Sequence, residues 1–558
     1  MPASVPQGNR HGELTRYVAS RWGSADHPDE DGLREAAREF AQEVCNPALP
    51  EREALKVADW FIKNKKAGLS AEYAERAESN EAKRTFKSED PFPLEFVDDI
   101  TLSDLFAKRY RDELLFDTGS HGWWAYDRKR GIWQGDAGLR AAELLEGFIE
   151  LISREANSKL GKDESGRKDP RIAEVRRYRS QRSRKSLLEN CAHKLAFNPE
   201  GFDASPDLFN CRNVTLELKP YPHAREHRPE DHLTKVAGCD FDQKAGHAEW
   251  DRFLAETFEG NGGAKLAGYL KQVLGRTVAG EGYKGKTYFL MGKTRTGKST
   301  FVNVLKAALG DYASGLSASV IIKKRTRGAA EHDASLAEIR GLRMGVISEW
   351  ESGDRLGVAA LKRLTGGDEQ VARNPYGHKN EHFVSTATIF LATNYLPSTT
   401  DDTIFTSRRV VVVPFENAVP ESKQDPELEN RLKTPDALAG VLAWCIEGLC
   451  AVRTGLVTPM PLICEQAREQ YAHDSDIVGR FIEDACRIGP EFEGSGQTLY
   501  TTFAKYCEDA GMRSMNQQEF YRELEKHGYA DLGRKRLADG SMPSRVFSGI
   551  EAGPPPEV

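Results

Sequence analysis

The sequence predicts a multidomain chain with an α/β domain at its centre, and three observations predict it. The first is length: 558 residues, at one domain per about 150, imply three or four domains. The second is a set of short apolar runs between residues 250 and 455: TYFLM, RMGVIS, TIFLAT and VVVVPF, separated by helical patterns. Strands alternating with helices point to a sheet with helices packed on it. The third is Gly292-Lys293-Thr294-Arg295-Thr296-Gly297-Lys298-Ser299, a glycine-bearing turn between the first of those strands and the helical STFVNVLKAALG.

The flanking regions follow in order. Residues 1–70 read as a helical module, with apolar residues at helical spacing in EDGLREAAREFAQEVCNPALPEREALKVADWFIKN; Asn46-Pro47 and Pro50 interrupt it. Residues 71–91 are polar and read as a linker. Residues 92–249 form an α+β unit. GWWAYDRKRGIW predicts a hairpin around Asp127–Gly131, AAELLEGFIELISREANSKL a long helix, and the basic run from Arg167 to Lys185 a helical surface. Runs of like charge are usually solvated helix faces. FDASPDLFNCRNVTLELKPYPHAREHRPEDH reads as loop. Residues 459–550 form a mainly helical unit ending in a β-hairpin, and 551–558 a disordered tail.

Composition excludes several classes. A net charge of −7 rules out a globally basic nucleic-acid coat, though not local basic grooves. The nine cysteines contain no CxxC pair, so neither a zinc ribbon nor a disulfide framework is expected, and a reducing cytoplasm is the simplest home. No run of about 18 apolar residues and no N-terminal apolar segment are present, so no membrane helix or signal peptide is expected. Trp123, Trp124 and Trp133 read as core residues rather than base-stacking platforms.

The sharpest chemistry lies in the glycine-bearing turn, which matches GxxxxGK[ST] between a strand and a helix. Glycines let backbone N–H groups turn inward around phosphates, and the helix N-terminus adds partial positive charge. The cradle is Gly292 to Thr300. Lys298 reaches the β- and γ-phosphates of ATP, and the Ser299 hydroxyl binds Mg²⁺. Hydrolysis also needs an acid at a neighbouring strand end. Glu349 follows the strand Arg343–Ser348, and Glu351 stands two residues on. Asn394 follows Thr388–Thr393 and suits a γ-phosphate sensor or water holder. Arg408 and Arg409 precede VVVV, and either suits the neutralisation of transition-state charge on a nucleotide bound by the next subunit.

The order of these motifs resembles the superfamily 3 helicases, and more narrowly the phage and plasmid primase-helicase family shared with poxviruses. The resemblance is carried by YFLMGKTRTGKST, HDASLAEIRGLRMGVISEWE, LKRLTGGDEQVARNPY, TATIFLATNYLP and DDTIFTSRRVVVVPF. It extends to LSDLFAKRYRDELLF and NPEGFDASPDLFNCRNVTLELK before them, and to EQYAHDSDIVGRFIEDAC and FYRELEKHGY after them. The resemblance implies a central AAA+-like ATPase over 250–455 using ATP and Mg²⁺, with Lys298 and Ser299 on phosphate and metal. Glu349 is then the metal or water-activating acid, Asn394 the sensor, and Arg408 or Arg409 the finger. Lys362, Gly366, Gly367 and Asp368 fall in the family's third motif. It also implies a hairpin in VARNPYGHKNEHFVS with His378 and Lys379 facing DNA, and a winged-helix C-terminal domain gripping duplex through Arg534, Lys535 and Arg536. The expected assembly is a hexameric ring on single-stranded and forked DNA, with a separate primase or polymerase and no membrane. Two departures stand out. Ser348 replaces the first of two adjacent acids found in many relatives, and residues 1–70 have no room for a primase domain. A DNA translocase or an origin-binding initiator without processive unwinding stays open as the alternative.

Overall fold

A computed structural model describes residues 97–553 apart from 162–165, 261, 282–284, 323–337, 349–354, 368, 374–379, 398, 400–402 and 513, with a few isolated positions between 5 and 55. The linker expected over 71–91, and all but those positions of the helical module expected over 1–70, lie outside the described residues.

The first unit opens with α1 (Asp99–Tyr110). Asp98 caps it, its carboxylate accepting the Thr101 N–H at 2.7 Å, which satisfies one orphan donor of the first turn. Strands β1 (Leu114–Asp117), β2 (Gly122–Asp127) and β3 (Ile132–Gln134) follow. β2 and β3 form the expected hairpin, with Asp127 opposite Ile132 and Gly131 at φ 66° closing the turn. The long helix is α2 (Gly138–Lys159), which buries Ala141, Leu145, Phe148, Ile152 and Ala156 along one face. The basic run folds as two helices, α3 (Pro170–Arg177) and α4 (Gln181–Lys194). Trp133 is buried and donates its indole N–H to the Pro229 carbonyl at 2.8 Å. Trp123 packs edge-on against Phe116, and Trp124 lies against Phe202. These contacts are packing, as expected.

The segment read as loop instead holds a three-stranded antiparallel sheet: β4 (Leu208–Asn210), β5 (Thr215–Glu217) and β6 (His223–Arg225). Strands of three residues are too short to display alternation in sequence. Phe209, Leu216 and Leu218 are fully buried in the same core as Trp250, Tyr288 and Phe301. Packing therefore crosses the boundary expected at 249/250.

The central domain opens with α5 (Ala248–Thr257) and α6 (Gly263–Val278). Its five strands are β7 (Thr287–Met291), β8 (Ala313–Gly315), β9 (Met344–Ile347), β10 (Thr388–Thr393) and β11 (Val410–Pro414). All pair in parallel, in the spatial order β8-β9-β10-β7-β11. Four are the strands expected; β8, with the sequence Ala-Ser-Gly, carries no apolar signal. Side chains alternate between two cores. Tyr288, Leu290, Val346, Phe390, Val411 and Val413 face one, with α5, α6 and α7 (Lys298–Leu309). Phe289, Ile347, Ile389, Leu391, Val410 and Val412 face the other, with α8 (Val358–Thr365). Coverage of both faces is why these strands read as continuous apolar runs.

Helix α9 (Pro435–Arg453) has the length and apolarity of a membrane span, unlike the sequence expectation. It is a core helix, with Leu438, Val441, Leu442, Trp444, Cys445 and Leu449 buried. It crosses α6 at two glycines: a Cβ on Gly275 would lie 2.3 Å from the Leu449 nitrogen, and one on Gly448 2.1 Å from the Lys271 oxygen.

The C-terminal unit follows α10 (Leu462–Ser475) with α11 (Ile477–Ala485), strand β12 (Cys486–Ser495), helices α12 (Gly496–Asp509) and α13 (Gln517–Lys526), and strand β13 (Val546–Ala552). β12 and β13 pair antiparallel around a core of Phe481, Phe503, Phe520 and Phe547. The disordered tail expected over 551–558 is overturned at its start, since Glu551 and Ala552 complete β13 and Arg487 pairs with Glu551 at 3.0 Å. Residues 554–558 lie outside the described residues.

Candidate functional site

The glycine-bearing turn runs from the carboxyl end of β7 into the first turn of α7. A Cβ on Gly292 would stand 2.0 Å from the Phe415 carbonyl oxygen, so only glycine lets the turn begin beside β11. Arg295 and Gly297 are left-handed, at φ 64° and 83°, and Gly297 caps α7. Thr296 is buried, and its hydroxyl donates to the Lys293 carbonyl at 2.9 Å.

Lys298 is 8% exposed. Its ammonium donates to the carbonyls of Gly292 at 2.5 Å and Lys293 at 2.6 Å, and lies 3.3 Å from the Thr296 hydroxyl. Burial lowers its pKa from the ordinary lysine value. The ammonium is thus held inside the loop, where a phosphate would meet it. Lys293, Thr294, Arg295 and Ser299 are exposed around it, and Thr300 is half-buried.

Two supports were not legible in sequence. α5 underlies the turn, with Thr257 and Phe253 within 3.4 Å of where a Gly297 Cβ would stand. Trp250 stacks on Phe301 of α7 at 5.7 Å. The chain after β11 straps across the turn: the Val419 N–H donates to the Arg295 carbonyl at 2.9 Å, and the Asn417 amide to the Glu259 carbonyl at 2.6 Å. Residues so distant in sequence share no local pattern.

Asn394 is brought to the same edge. β10 lies beside β7, with Thr393 opposite Met291, and Asn394 follows, exposed. β9 ends there too, with Ile347 opposite Leu391 and Ser348 exposed. Glu349, the acid expected next, lies outside the described residues, as do Glu351, Asp368, His378 and Lys379. The hairpin whose tip carries His378 and Lys379 has described flanks, Glu369–Arg373 paired antiparallel with Asn380–Val384. Among the described residues no group of three or more His, Cys, Asp or Glu could hold a metal.

Arg408 and Arg409 stand at the opposite end of the sheet, before β11, about 16 Å of strand from the turn. The structure separates the two. The Arg409 guanidinium is half-buried and reaches the Thr365 hydroxyl of α8 at 3.4 Å. Arg408 is exposed, with φ 51°. Lys286 has its pKa lowered by burial and, next, by the charge of Arg408. Lys362 of the third motif donates to the Thr403 hydroxyl.

Sequence reading missed Arg343 altogether. It is 4% exposed, at the entrance to β9. It donates to the carbonyls of Pro206 at 3.0 Å and Leu208 at 2.9 Å, while its Nε and Nη1 have no hydrogen-bond partner among the described residues. Arg340 donates to the Pro199 carbonyl at 2.7 Å. These two arginines join the sheet to the N-terminal unit.

In the C-terminal unit, Arg534, Lys535 and Arg536 are all exposed. Lys535 pairs with Glu493, and Arg545 pairs with Asp531 at 3.0 Å. Arg534 and Arg536 make no ion pair among the described residues.

A parallel sheet ending in this lysine-holding turn defines a P-loop-like α/β class. Comparison with known proteins narrows it. The D5 N terminal like family matches residues 103–259, and a family of unknown function, DUF5906, matches 290–409. Two viral proteins, each named "Putative helicase", are similar. That of Acanthamoeba polyphaga mimivirus is 26% identical over 39% of this chain and 24% of its own length. That of Frog virus 3 is 25% identical over 45% of this chain and 27% of its own. The chain thus spans about a quarter of the length of these relatives. The apo C-terminal region of NrS-1 is similar over 81% of this chain and 100% of its own at 11% identity, with a TM-score of 0.42, too slight a likeness to argue from. The chain thus carries a D5 N terminal like region and a DUF5906 region, and it is similar to viral proteins named putative helicases.

Proposed function

We propose that this chain is an ATP-dependent, ring-forming DNA helicase acting in phage, prophage or plasmid replication, in the host cytoplasm. The single observation that carries the reading is the Lys298 turn on the sheet edge that also presents Asn394 and the end of β9. One strand, β10, stands between β7 and β9, the strand that leads to Glu349, and β11 lies on the other side of β7. That order supports an AAA+-like ATPase over 250–455.

Lys298 exchanges its two carbonyl partners for the β- and γ-phosphates of ATP. Ser299, exposed in the first turn of α7, supplies one hydroxyl to Mg²⁺; magnesium needs few protein ligands when phosphates supply the rest. The ion neutralises charge on the phosphates when bound. Glu349 orients water, and Asn394 senses the γ-phosphate. A finger about 16 Å of strand from its own turn acts on a neighbour's nucleotide, so the active unit is a ring, with a hexamer the expected count. Arg408, exposed and not held by α8, is the better finger.

The C-terminal unit supports a winged-helix reading. Residues 530–533 run beside β13, with the Leu532 N–H donating to Val546 at 2.8 Å and the Ser548 N–H to Ala530 at 3.0 Å. The loop from 534 turns tightly at Leu537–Ser541. α13 exposes Glu519 and Glu525, so it is a poor phosphate-binding helix. DNA contact falls to the wing, through Arg534 and Arg536, with Lys535 weakened by its pair. Lys379 and His378 contact the strand in the channel, and a separate primase or polymerase completes the replication machinery.

The test is ATP-dependent unwinding of a DNA fork by the purified chain, beside Lys298→Ala. Unwinding lost in the variant and present in the parent is the expected result. An equally active Lys298→Ala protein overturns the mechanism. ATP hydrolysis with no strand displacement favours the translocase.

A further inference from the structure

We propose that the elbow between α3 and α4 is a second DNA-backbone contact, on the N-terminal unit and separate from the wing and the central hairpin. Residues 167–185 hold nine arginines and lysines against two acids, in a chain whose net charge is −7. A run like this is ordinarily a solvated helix face whose charges pair along it. Here the pairing is sparse. Arg171 pairs with Asp169 at 2.7 Å and Arg184 with Glu146 at 3.3 Å. Lys168, Arg176, Arg179, Arg182 and Lys185 are exposed and make no ion pair among the described residues. Three other exposed cations of the unit, Arg128, Arg140 and Lys159, each pair with a glutamate.

The charges are also badly placed for stability. α4 begins at Ser180, which caps it, and has no acid in its first turn. Arg182 and Arg184 crowd the positive end of the helix dipole, where cations are unfavourable. Surface charge selected only for folding would stand the other way round. The elbow is held rigid from beneath. Tyr178 is 1% exposed; its hydroxyl donates to Asp99 at 2.6 Å and accepts from Arg177 at 3.2 Å. Arg182 and Lys185 share a face of α4 by their spacing. A fixed, unneutralised group of cations fits phosphates spaced along a strand, with no sequence preference.

The test measures binding of the full chain to a labelled single strand and a labelled fork across a salt series, without nucleotide. The triple variant Arg176→Ala/Arg179→Ala/Arg182→Ala is compared with the parent and with the matching triple lysine variant. Thermal unfolding of each confirms folding. The alanine variant should bind at least about tenfold more weakly, and its salt slope should fall by about 2, at about 0.7 per lost single-strand contact. The lysine variant should bind as the parent does. Unchanged affinity and slope in the alanine variant overturn the proposal. So does displacement of DNA by polyglutamate as readily as by unlabelled DNA, which moves the partner to an acidic protein. Binding here is independent of hydrolysis: a chain that hydrolyses no ATP yet loses DNA in the alanine variant fails the helicase reading and keeps this one.

Discussion

The two ends of the central sheet differ in what they leave unfinished. At the carboxyl ends, Lys298 is satisfied by its own loop, and Ser299, Asn394 and Ser348 stand exposed around it. At the amino ends, Arg343 is buried among carbonyls with two atoms lacking a hydrogen-bond partner among the described residues, Arg409 leans on Thr365, and Arg408 is exposed. One end is built to receive an anion. The other supplies cations, Arg343 to the N-terminal unit and, on the reading proposed above, Arg408 to a neighbour. On that reading the sheet is half of a site at each end, and a copy stacked head to tail completes it.

The largest effects break this comparison directly. Lys298→Ala should abolish ATP uptake in calorimetry and bring phosphate release to background. Arg408→Ala should leave uptake intact and lower kcat about 10³-fold, whereas Arg409→Ala should cost less than about tenfold. Equal losses at the two arginines would erase the distinction drawn between them. Mixing Lys298→Ala with Arg408→Ala protein should restore part of the hydrolysis, since each supplies what the other lacks; mixtures as inactive as their parts would place the finger elsewhere.

Smaller effects sharpen the comparison through stability. Gly292→Ala forces a Cβ toward the Phe415 carbonyl, and overpacking of this kind costs about 1–3 kcal/mol, read as a lower Tm. Arg343→Met strips two carbonyls of their donor, at about 1–3 kcal/mol each if they stay buried. Its distinguishing readout is proteolysis, which should cut the 199–208 segment sooner than the sheet. The smallest effect is a pH dependence at His227, which bonds the Thr215 hydroxyl at 2.9 Å. Burial lowers its pKa below the usual value. A depressed histidine favours the fold fully above about pH 6.5 and loses that contribution as pH falls toward the folded value. The urea midpoint should drop on acidification, and His227→Gln should flatten that part of the profile.

The phosphate loop was legible because its chemistry is local: eight consecutive residues between a strand and a helix. The four apolar strands were legible because helices cover both faces of the sheet. β8 was not, because Ala-Ser-Gly at the sheet edge needs no apolar side chains. The 208–225 sheet was not, because three-residue strands carry no period. Arg343 was invisible for another reason. Its partners are backbone carbonyls more than 130 residues upstream, and carbonyls leave no mark in a sequence. The differing surroundings of Arg408 and Arg409 were likewise hidden, since adjacent identical residues differ only in what lies near them, and Thr365 is distant in sequence.

On the ATPase reading proposed above, Lys298 bonded to its own loop bears on the end of a catalytic cycle. When a phosphate departs, the ammonium need not be abandoned to an apolar wall, because the Gly292 and Lys293 carbonyls stand ready to take it back. Discharge of spent nucleotide is then a partner swap within the loop rather than a bare rupture. On that reading the loop is an internal competitor for the product, and it helps clear the seat for the next fuel molecule.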